Sequence, residues 1–326
     1  MSKPYVYVTR KVPEESLTAL QEVAEVEMWP KAEDPVPREV LLEKAQKASG
    51  LYTMLSDQID EELLDNSPHL KVVANLAVGF DNINVEKATE KGISVCNTPD
   101  VLTDTTADLA FALLMAAGRR IVEAAEYVKD GKWQNWAPLL LAGTDIHHKT
   151  IGIVGMGRIG TAVAKRATGF EMEILYHNRS RKKEAEEELG ASYVSFEELT
   201  ERADYVVCLA PLTEETKDLF TYDVFNKMKS SAVFVNASRG GVVVEEDLER
   251  ALKEETIAAA GLDVFRKEPI PADHPLLSLT NVVALPHIGS ASAETRHEMA
   301  ALVSRNIASV LKGDTPEALV NEDVLS

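Results

Sequence analysis

KTIGIVGMGRIG, residues 149–160, reads as a strand, a tight turn and the start of a helix. Thr150 to Val154 is a short apolar, partly β-branched run of the kind buried in a parallel sheet, and Gly155, Gly157 and Gly160 follow it with the spacing G-x-G-x-x-G. In a dinucleotide-binding unit the first glycine makes the turn, the second admits a pyrophosphate to the backbone, and the third lets the helix pack closely on its strand. The free N–H groups of the first helical turn and the positive end of the helix dipole then face the phosphates. Taken alone the pattern also describes a plain glycine-rich turn. Its flanks favour the binding unit, because Ile159, Val163 and Ala164 give the next segment an apolar face and a second strand, Glu173 to Tyr176, arrives on schedule.

Outward from this stretch the same alternation continues. Tyr205–Leu209, Ala232–Val235, Ala258–Leu262 and Val282–Leu285 read as further strands separated by helical patterns, so six strands are expected in a doubly wound sheet. Ahead of it, Tyr5–Thr9, Gly50–Met54, Leu70–Ala74 and Ile93–Cys96 alternate with helical spacing over Glu14–Val23, Pro37–Ala48 and Asp60–Asn66. That first unit is a β/α unit with a parallel sheet and no glycine fingerprint. The last helix, Ala293–Leu311, carries Met299, Leu302, Val303, Ile307, Val310 and Leu311 at spacings of three and four, and is expected to pack back on the first unit. The expected fold is α/β: two Rossmann-like domains with doubly wound parallel sheets and a cleft between them. Residues 1–101 plus 289–326 would form a flavodoxin-like substrate-binding domain, and residues 102–288 a dinucleotide-binding Rossmann domain.

Asp104 to Ala117 predicts a buried helix with Asp104 as its N-cap. Arg119 to His148 reads as an irregular arm holding Trp133, Trp136 and the run Leu139–Leu141, large apolar side chains that need a partner surface. A homodimer through 119–148 supplies one; packing on the chain's own body supplies another.

Composition sets outer bounds. With 326 residues there is length for two cores, and no apolar run approaches the roughly 20 residues that span a membrane. The N-terminus enters a strand-like segment directly, so a cytoplasmic location is expected. Cys96 and Cys208 are far apart and without C-x-x-C spacing, which suggests neither a disulfide framework nor a thiolate metal site, and the seven histidines show no ligand spacing beyond the adjacent His147 and His148. No metal is expected. A formal charge of −19 disfavours nucleic acid and anionic membranes as partners, so an anionic small-molecule substrate must be drawn in by local positive groups.

In nicotinamide-binding units an acid at the end of the second strand takes the adenosine ribose hydroxyls. Here that strand runs into Tyr176-His177-Asn178-Arg179-Ser180-Arg181, which puts two guanidinium groups where a 2′-phosphate would lie. The expected cofactor is NADP(H), with NAD(H) possible. Polar groups also cluster after later strands, in Asn236-Ala237-Ser238-Arg239-Gly240-Gly241, in Asp263-Val264-Phe265-Arg266-Lys267-Glu268-Pro269 and in Pro286-His287-Ile288-Gly289-Ser290. Strand ends of one parallel sheet share an edge, so Arg239, Glu268 and His287 are candidates to meet there. VGFDN, residues 78–82, is a turn after a strand of the first unit; it is either a plain connection or a place where the Gly79 backbone N–H is open to an oxyanion.

With VGFDN, GMGRIG, NASRGG, GLDVFRKEP and PHIGS in this order, the chain resembles the D-isomer-specific 2-hydroxyacid dehydrogenase family over nearly its whole length. The resemblance implies that His287 is the general acid/base, Glu268 its carboxylate partner and Arg239 the group holding the substrate's oxo and carboxylate oxygens. It implies that Val78 and Gly79 bind the substrate carboxylate through backbone N–H groups, and that Thr106 and Asp263 contact the nicotinamide end. Further cofactor contacts are expected at Gly155, Gly157, Arg158, Ile159 and Gly160, at Asn178, Arg179, Ser180 and Arg181, and at Ala210, Pro211 and Thr216. Ala237, Ser238, His287 and Gly289 complete that set. Leu55 and Ser56, near a strand end, are candidates for lining the substrate pocket.

The arm with Trp133, Trp136 and Pro138 is similar to that of glyoxylate/hydroxypyruvate reductases, in which a tryptophan reaches the neighbouring subunit's site, so Trp136 is a candidate substrate contact. The expected activity is reduction of small 2-oxo acids to D-2-hydroxy acids, glyoxylate to glycolate and hydroxypyruvate to D-glycerate first among them. A 2-ketogluconate (2-ketoaldonate) reductase is the alternative within the family. D-3-phosphoglycerate dehydrogenase is disfavoured, because the chain ends at Ser326 without room for a regulatory domain. From another class, a nicotinamide-sensing binding protein related to transcriptional corepressors shares the fold, but no long polar tail or recognition module is present.

Overall fold

The computed structural model describes residues 3–325. They form two compact units, one made of the chain up to Leu102 together with the chain from Ser292, the other Thr103–Ala291. In the first unit, β1 (Tyr5–Val8), β2 (Glu25–Met28), β3 (Gly50–Thr53), β4 (Val72–Asn75) and β5 (Ser94–Cys96) make a parallel sheet in the order β2-β1-β3-β4-β5. Alternate side chains feed two layers. Tyr7, Leu51, Val73 and Val95 face a core shared with Leu41, Leu63 and Leu64, whereas Val6, Val8, Tyr52 and Val72 face one shared with Val303 and Ile307. The second layer is closed by the helix Ala293–Lys312, whose Ala300 carbonyl accepts from the buried Tyr52 hydroxyl at 3.3 Å. Ser292 caps that helix through its side chain, and Gly313 ends it in the left-handed region.

In the second unit seven strands form another parallel sheet: β6 (Thr150–Val154), β7 (Glu173–His177), β8 (Ser192–Tyr193), β9 (Tyr205–Cys208), β10 (Val233–Asn236), β11 (Ala259–Leu262) and β12 (Val282–Ala284). Their order is β12-β11-β10-β9-β6-β7-β8. The chain therefore winds outward in one direction from β6 through β7 and in the other from β9, and the β6/β9 junction is the switch point at which open α/β sheets bind ligands. Val154 pairs with Cys208, so the two strands end level there. The helices Thr103–Gly118 and Arg158–Thr168 share one core cluster through Ala107, Phe111, Leu114, Val163 and Ala164.

Four local readings are corrected. The edge strand β2 was absent from the sequence reading because its residues alternate exposed and half-buried, without a continuous apolar run. β8 makes seven strands where six were expected; it is two residues long, both exposed. The stretch from Arg119 is not irregular throughout: Arg120 adopts φ 52°, breaking the chain direction, and a second helix, Ile121–Lys129, follows. Asp104 is not the N-cap of its helix, which begins at Thr103; its carboxylate instead accepts from Arg166 Nη2 at 3.2 Å, beside Asp108. No helix among the described residues is long and apolar enough to cross a membrane.

Candidate active site

The turn after β6 has the geometry its glycines require. Gly155 sits at φ 101°, and a Cβ there would lie 2.6 Å from the Ala210 backbone nitrogen, so the ends of β6 and β9 approach as closely as they do only because no side chain intervenes. Gly160 passes close to the Gly155 carbonyl for the same reason. Gly157 is different: nothing lies within 4 Å of where its Cβ would be. It is the N-cap of the helix Arg158–Thr168 and supplies no side-chain cap, leaving the helix's positive end approachable. These features fit the pyrophosphate of a dinucleotide. After β9, Ala210 and Pro211 lead into a loop folded on itself by the Thr216 hydroxyl, which donates to the Pro211 carbonyl at 2.5 Å and accepts from Thr213 N at 2.8 Å.

At the end of β7 the chain runs through Asn178, whose amide donates to the Ser180 carbonyl at 3.2 Å. The two arginines of this loop differ. Arg181 pairs with Glu186 through Nε at 3.0 Å and Nη2 at 2.5 Å, and its guanidinium stands 6.0 Å from the Tyr193 ring centre. Arg181 together with the Tyr176 hydroxyl holds the Glu186 carboxyl down to about 2. Arg179 is exposed and, unlike Arg181, forms no salt bridge among the described residues, although its charge helps lower the Glu215 carboxyl.

His287 follows β12 in the left-handed region, at φ 54°. That backbone is held by one residue at the end of β11: the Asp263 carbonyl accepts from His287 N at 2.9 Å, and its two carboxylate oxygens accept from Ile288 N and Gly289 N, each at 2.8 Å. Asp263 is buried, and burial pushes its carboxyl above the ordinary range although these N–H groups and the neighbouring His287 oppose the shift. Thr106, also buried, lies against Gly289.

The imidazole Nδ1 of His287 is 2.7 Å from Glu268 Oε2, and Glu268 Oε1 accepts from Phe265 N at 2.9 Å. Burial raises the Glu268 carboxyl, but the hydrogen bond and charge of His287, helped by Phe265 N–H and Arg239, outweigh burial and leave it below its usual value. An ionised carboxylate only accepts, so Nδ1 carries a proton and Nε2 is the nitrogen left for other chemistry.

Arg239 lies just beyond β10. The Asn236 amide clamps its turn, donating to the Arg239 carbonyl at 2.9 Å and accepting from Ser238 N and Oγ at 3.1 and 2.9 Å, while Arg239 Nη1 donates to the Ser238 carbonyl. Ala237 and Ser238 are half-buried on the same turn. A Cβ on Gly240 would fall 1.9 Å from the Phe265 carbonyl carbon, so the Arg239 turn sits directly on the backbone that leads to Glu268. The second unit thus brings Arg239, Glu268 and His287 to one edge of its sheet.

In the first unit, Val78 and Gly79 follow β4. Leu55 and Ser56 follow β3, are exposed, and belong to a cavity of about 420 Å³ that also includes Asp57, Asp81 and Asn82 but neither Val78 nor Gly79. Ser56 Oγ accepts from Arg10 Nη2 at 3.0 Å. In the arm, Trp136 is 75% exposed. The sequence reading passed over the amides of Asn75, Asn82 and Asn97, which tie these loops together. Each stands at a strand end or in a turn, the only signal it offers.

Residues 111–289 match the family model described as D-isomer specific 2-hydroxyacid dehydrogenase, NAD binding domain. The chain belongs to this family. Two glyoxylate reductases, from Korarchaeum cryptofilum and Thermococcus litoralis, are each 50% identical to this dehydrogenase over 99% of its length and 97% and 98% of theirs. Among solved structures, a protein from Thermus thermophilus superposes with a TM-score of 0.91 at 43% identity, over 97% of this chain and 99% of that one. An NADPH-dependent glyoxylate/hydroxypyruvate reductase from Sinorhizobium meliloti, solved with NADP and malonate, gives 0.86 at 33% identity, over 99% and 98%. The β6 turn, Arg239, Glu268 and His287 lie inside the matched segment, which ends at Gly289, whereas Val78, Gly79 and Thr106 lie ahead of it.

Proposed function

We propose that the chain reduces glyoxylate to glycolate, and hydroxypyruvate to D-glycerate, with NADPH as the preferred hydride source. The observation that carries this reading is the His287–Glu268 pair at the carboxyl edge of a fingerprint-bearing sheet, with Arg239 on the adjoining turn. Gly155, Gly157 and the helix start at Arg158 would hold a dinucleotide by its pyrophosphate, and its reduced nicotinamide would supply hydride to the substrate's carbonyl carbon. As negative charge grows on the carbonyl oxygen, protonated His287 gives its Nε2 proton to it, while Glu268 holds Nδ1–H and stabilises the imidazolium. Arg239 orients the oxo acid and polarises its carbonyl through a charge-assisted contact, and the N–H groups of Val78 and Gly79 take the carboxylate. Arg179 is the group assigned to the 2′-phosphate, with Arg181 turned to Glu186.

The deciding experiment is the initial rate of NADPH oxidation with glyoxylate, hydroxypyruvate and 2-ketogluconate, each repeated with NADH. Fast turnover of the first two with NADPH is expected, and Arg179→Ala should erode the preference by roughly 10-fold or more, the scale of one charge-assisted phosphate contact. Equal efficiency with NADH overturns the cofactor assignment, reduction of 2-ketogluconate alone moves the pocket to sugar acids, and no turnover at all favours a sensor.

The partner proposed for the arm is a second copy of the chain. Ile121, Val122, Val128, Trp133, Trp136 and Leu139 are all exposed, and no residue of the helix Ile121–Lys129 is buried. Six large apolar side chains exposed along one arm call for a cover. Sedimentation at micromolar concentration should give a dimer, and a monomer there refutes it.

A further inference from the structure

The turn after β4 is held from behind. Three successive carbonyls in it each accept a hydrogen bond: Ala77 from Thr98 N at 2.9 Å, Val78 from Asn97 Nδ2 at 2.8 Å and Gly79 from Asn75 Nδ2 at 2.9 Å. Among the described residues the peptide bonds here are trans, and in a trans peptide the N–H points opposite to the C=O that precedes it. Fixing the Ala77 and Val78 carbonyls towards the neighbouring residues Thr98 and Asn97 therefore turns the N–H groups of Val78 and Gly79 together to the other side. Fixing the Gly79 carbonyl towards Asn75 likewise sets the direction of Phe80 N–H. No hydrogen bond is made by the N–H of Val78, Gly79 or Phe80 among the described residues. Successive N–H groups presented in this way make an anion nest.

One of these holders is itself held. Asn75 is fully buried; its Oδ1 accepts from Thr53 Oγ1 at 3.1 Å, and its amide also reaches Asn82 Oδ1 at 3.1 Å. Asn82 in turn donates to the carbonyls of Met54 and Asp57 at 3.1 and 2.7 Å. Asp57 is buried and receives Met54 N at 2.8 Å and the Thr9 hydroxyl. Buried amides with every group engaged cost little and fix geometry, whereas a freed carbonyl can swing.

We infer that Asn97 and Asn75 are positioning residues for substrate: by latching the Val78 and Gly79 carbonyls they preset the N–H groups of Gly79 and Phe80, beside the Val78 N–H that Thr98 N sets through the Ala77 carbonyl, to receive the carboxylate of a 2-oxo acid. This rests on the proposed binding of the carboxylate at Val78 and Gly79. Neither asparagine touches substrate; each acts through the peptide plane it holds. Because the nest recognises only the carboxylate, loosening it affects an aldehyde that lacks one far less than glyoxylate.

Asn97→Ala and Asn97→Asp, neither able to donate to the Val78 carbonyl, are compared with wild type on glyoxylate and on glyoxal, its carboxylate-free counterpart, with NADPH affinity followed by fluorescence titration. The expected result is a rise in KM for glyoxylate of about 10- to 100-fold with a much smaller change in kcat. Efficiency with glyoxal and the NADPH Kd should stay within about threefold of wild type, well inside the tenfold that 1.4 kcal/mol represents. An unchanged KM for glyoxylate in a wild-type background that reduces it overturns the inference and leaves the proposed function standing. Equal losses on glyoxylate and glyoxal, or a matching loss of NADPH binding, assign Asn97 to stability alone and also overturn it. Failure of the wild type to reduce glyoxylate with either nicotinamide overturns the function and the inference together.

Discussion

His287→Asn should lower kcat for glyoxylate by about 10²- to 10⁴-fold, the worth of a positioned general acid, while NADPH binding is nearly unchanged. Asparagine is chosen over alanine because His287 occupies the left-handed region at φ 54°, where asparagine is among the few residues at ease and alanine adds strain. The substitution keeps the backbone N–H that Asp263 holds and removes only the imidazole. Its effect therefore reads the proton donor rather than the loop. The same logic places Asp263 beneath the reaction: its carbonyl and both carboxylate oxygens gather the N–H groups of three successive residues and so fix where the imidazole starts. Measured single-turnover rates with saturating NADPH decide the matter, and turnover within about tenfold of wild type removes His287 from the acid/base role.

The sheets and the strand-end chemistry were legible because both rest on short-range patterns. A parallel strand buried on both faces is a continuous apolar run, as in Tyr205–Cys208 and in Val233–Asn236 up to its terminal Asn236, whose residues are all buried. Where that physics weakens, legibility fails: Glu25–Met28 has a neighbour on one side only, and Ser192–Tyr193 is a two-residue strand at the other sheet's margin. The helix Ile121–Lys129 escaped because its apolar residues face no core of their own unit, so the large side chains suggested an arm rather than a period. The fingerprint glycines were readable from spacing. That Gly157 leaves open space while Gly155 and Gly160 abut backbone is a three-dimensional fact no spacing states.

That Arg239, Glu268 and His287 come to one sheet edge was legible from residue type and position at strand ends. The asparagine latch was not, since a half-buried amide in a turn has no periodicity, and its meaning lies in which carbonyl it meets 19 residues away, as Asn97 meets Val78. Arg179 and Arg181 stand two apart in sequence and look equivalent there. Glu186, five residues beyond Arg181, separates their surroundings, taking the guanidinium of Arg181 into a salt bridge.

Arg239→Ala should reduce kcat/KM for glyoxylate by about 10³-fold or more, combining the loss of a substrate-orienting charge with loss of carbonyl polarisation. Arg239→Lys should recover only part of it, because an ammonium restores charge but not a planar fork able to address two oxygens at once. So large an effect follows because the side chain is launched from a rigid place. Asn236 clamps the turn on one side, and on the other Gly240 meets the Phe265 backbone so closely that no side chain fits between them. Phe265 N–H in turn holds Glu268, whose carboxyl is drawn down in part by the Arg239 charge. Arg239 is thereby built into the same assembly as the His287–Glu268 pair, and its removal acts on electrostatics already organised before substrate arrives. In a chain with formal charge −19 it also supplies local attraction for an anionic substrate, so the deficit of Arg239→Ala should appear in KM as well as kcat, and added salt should weaken the wild type more than the variant. Cofactor affinity supplies the control: NADPH Kd should hold while kcat/KM collapses, and a variant keeping kcat/KM within about tenfold of wild type would make Arg239 a charge at the strand edge and nothing more.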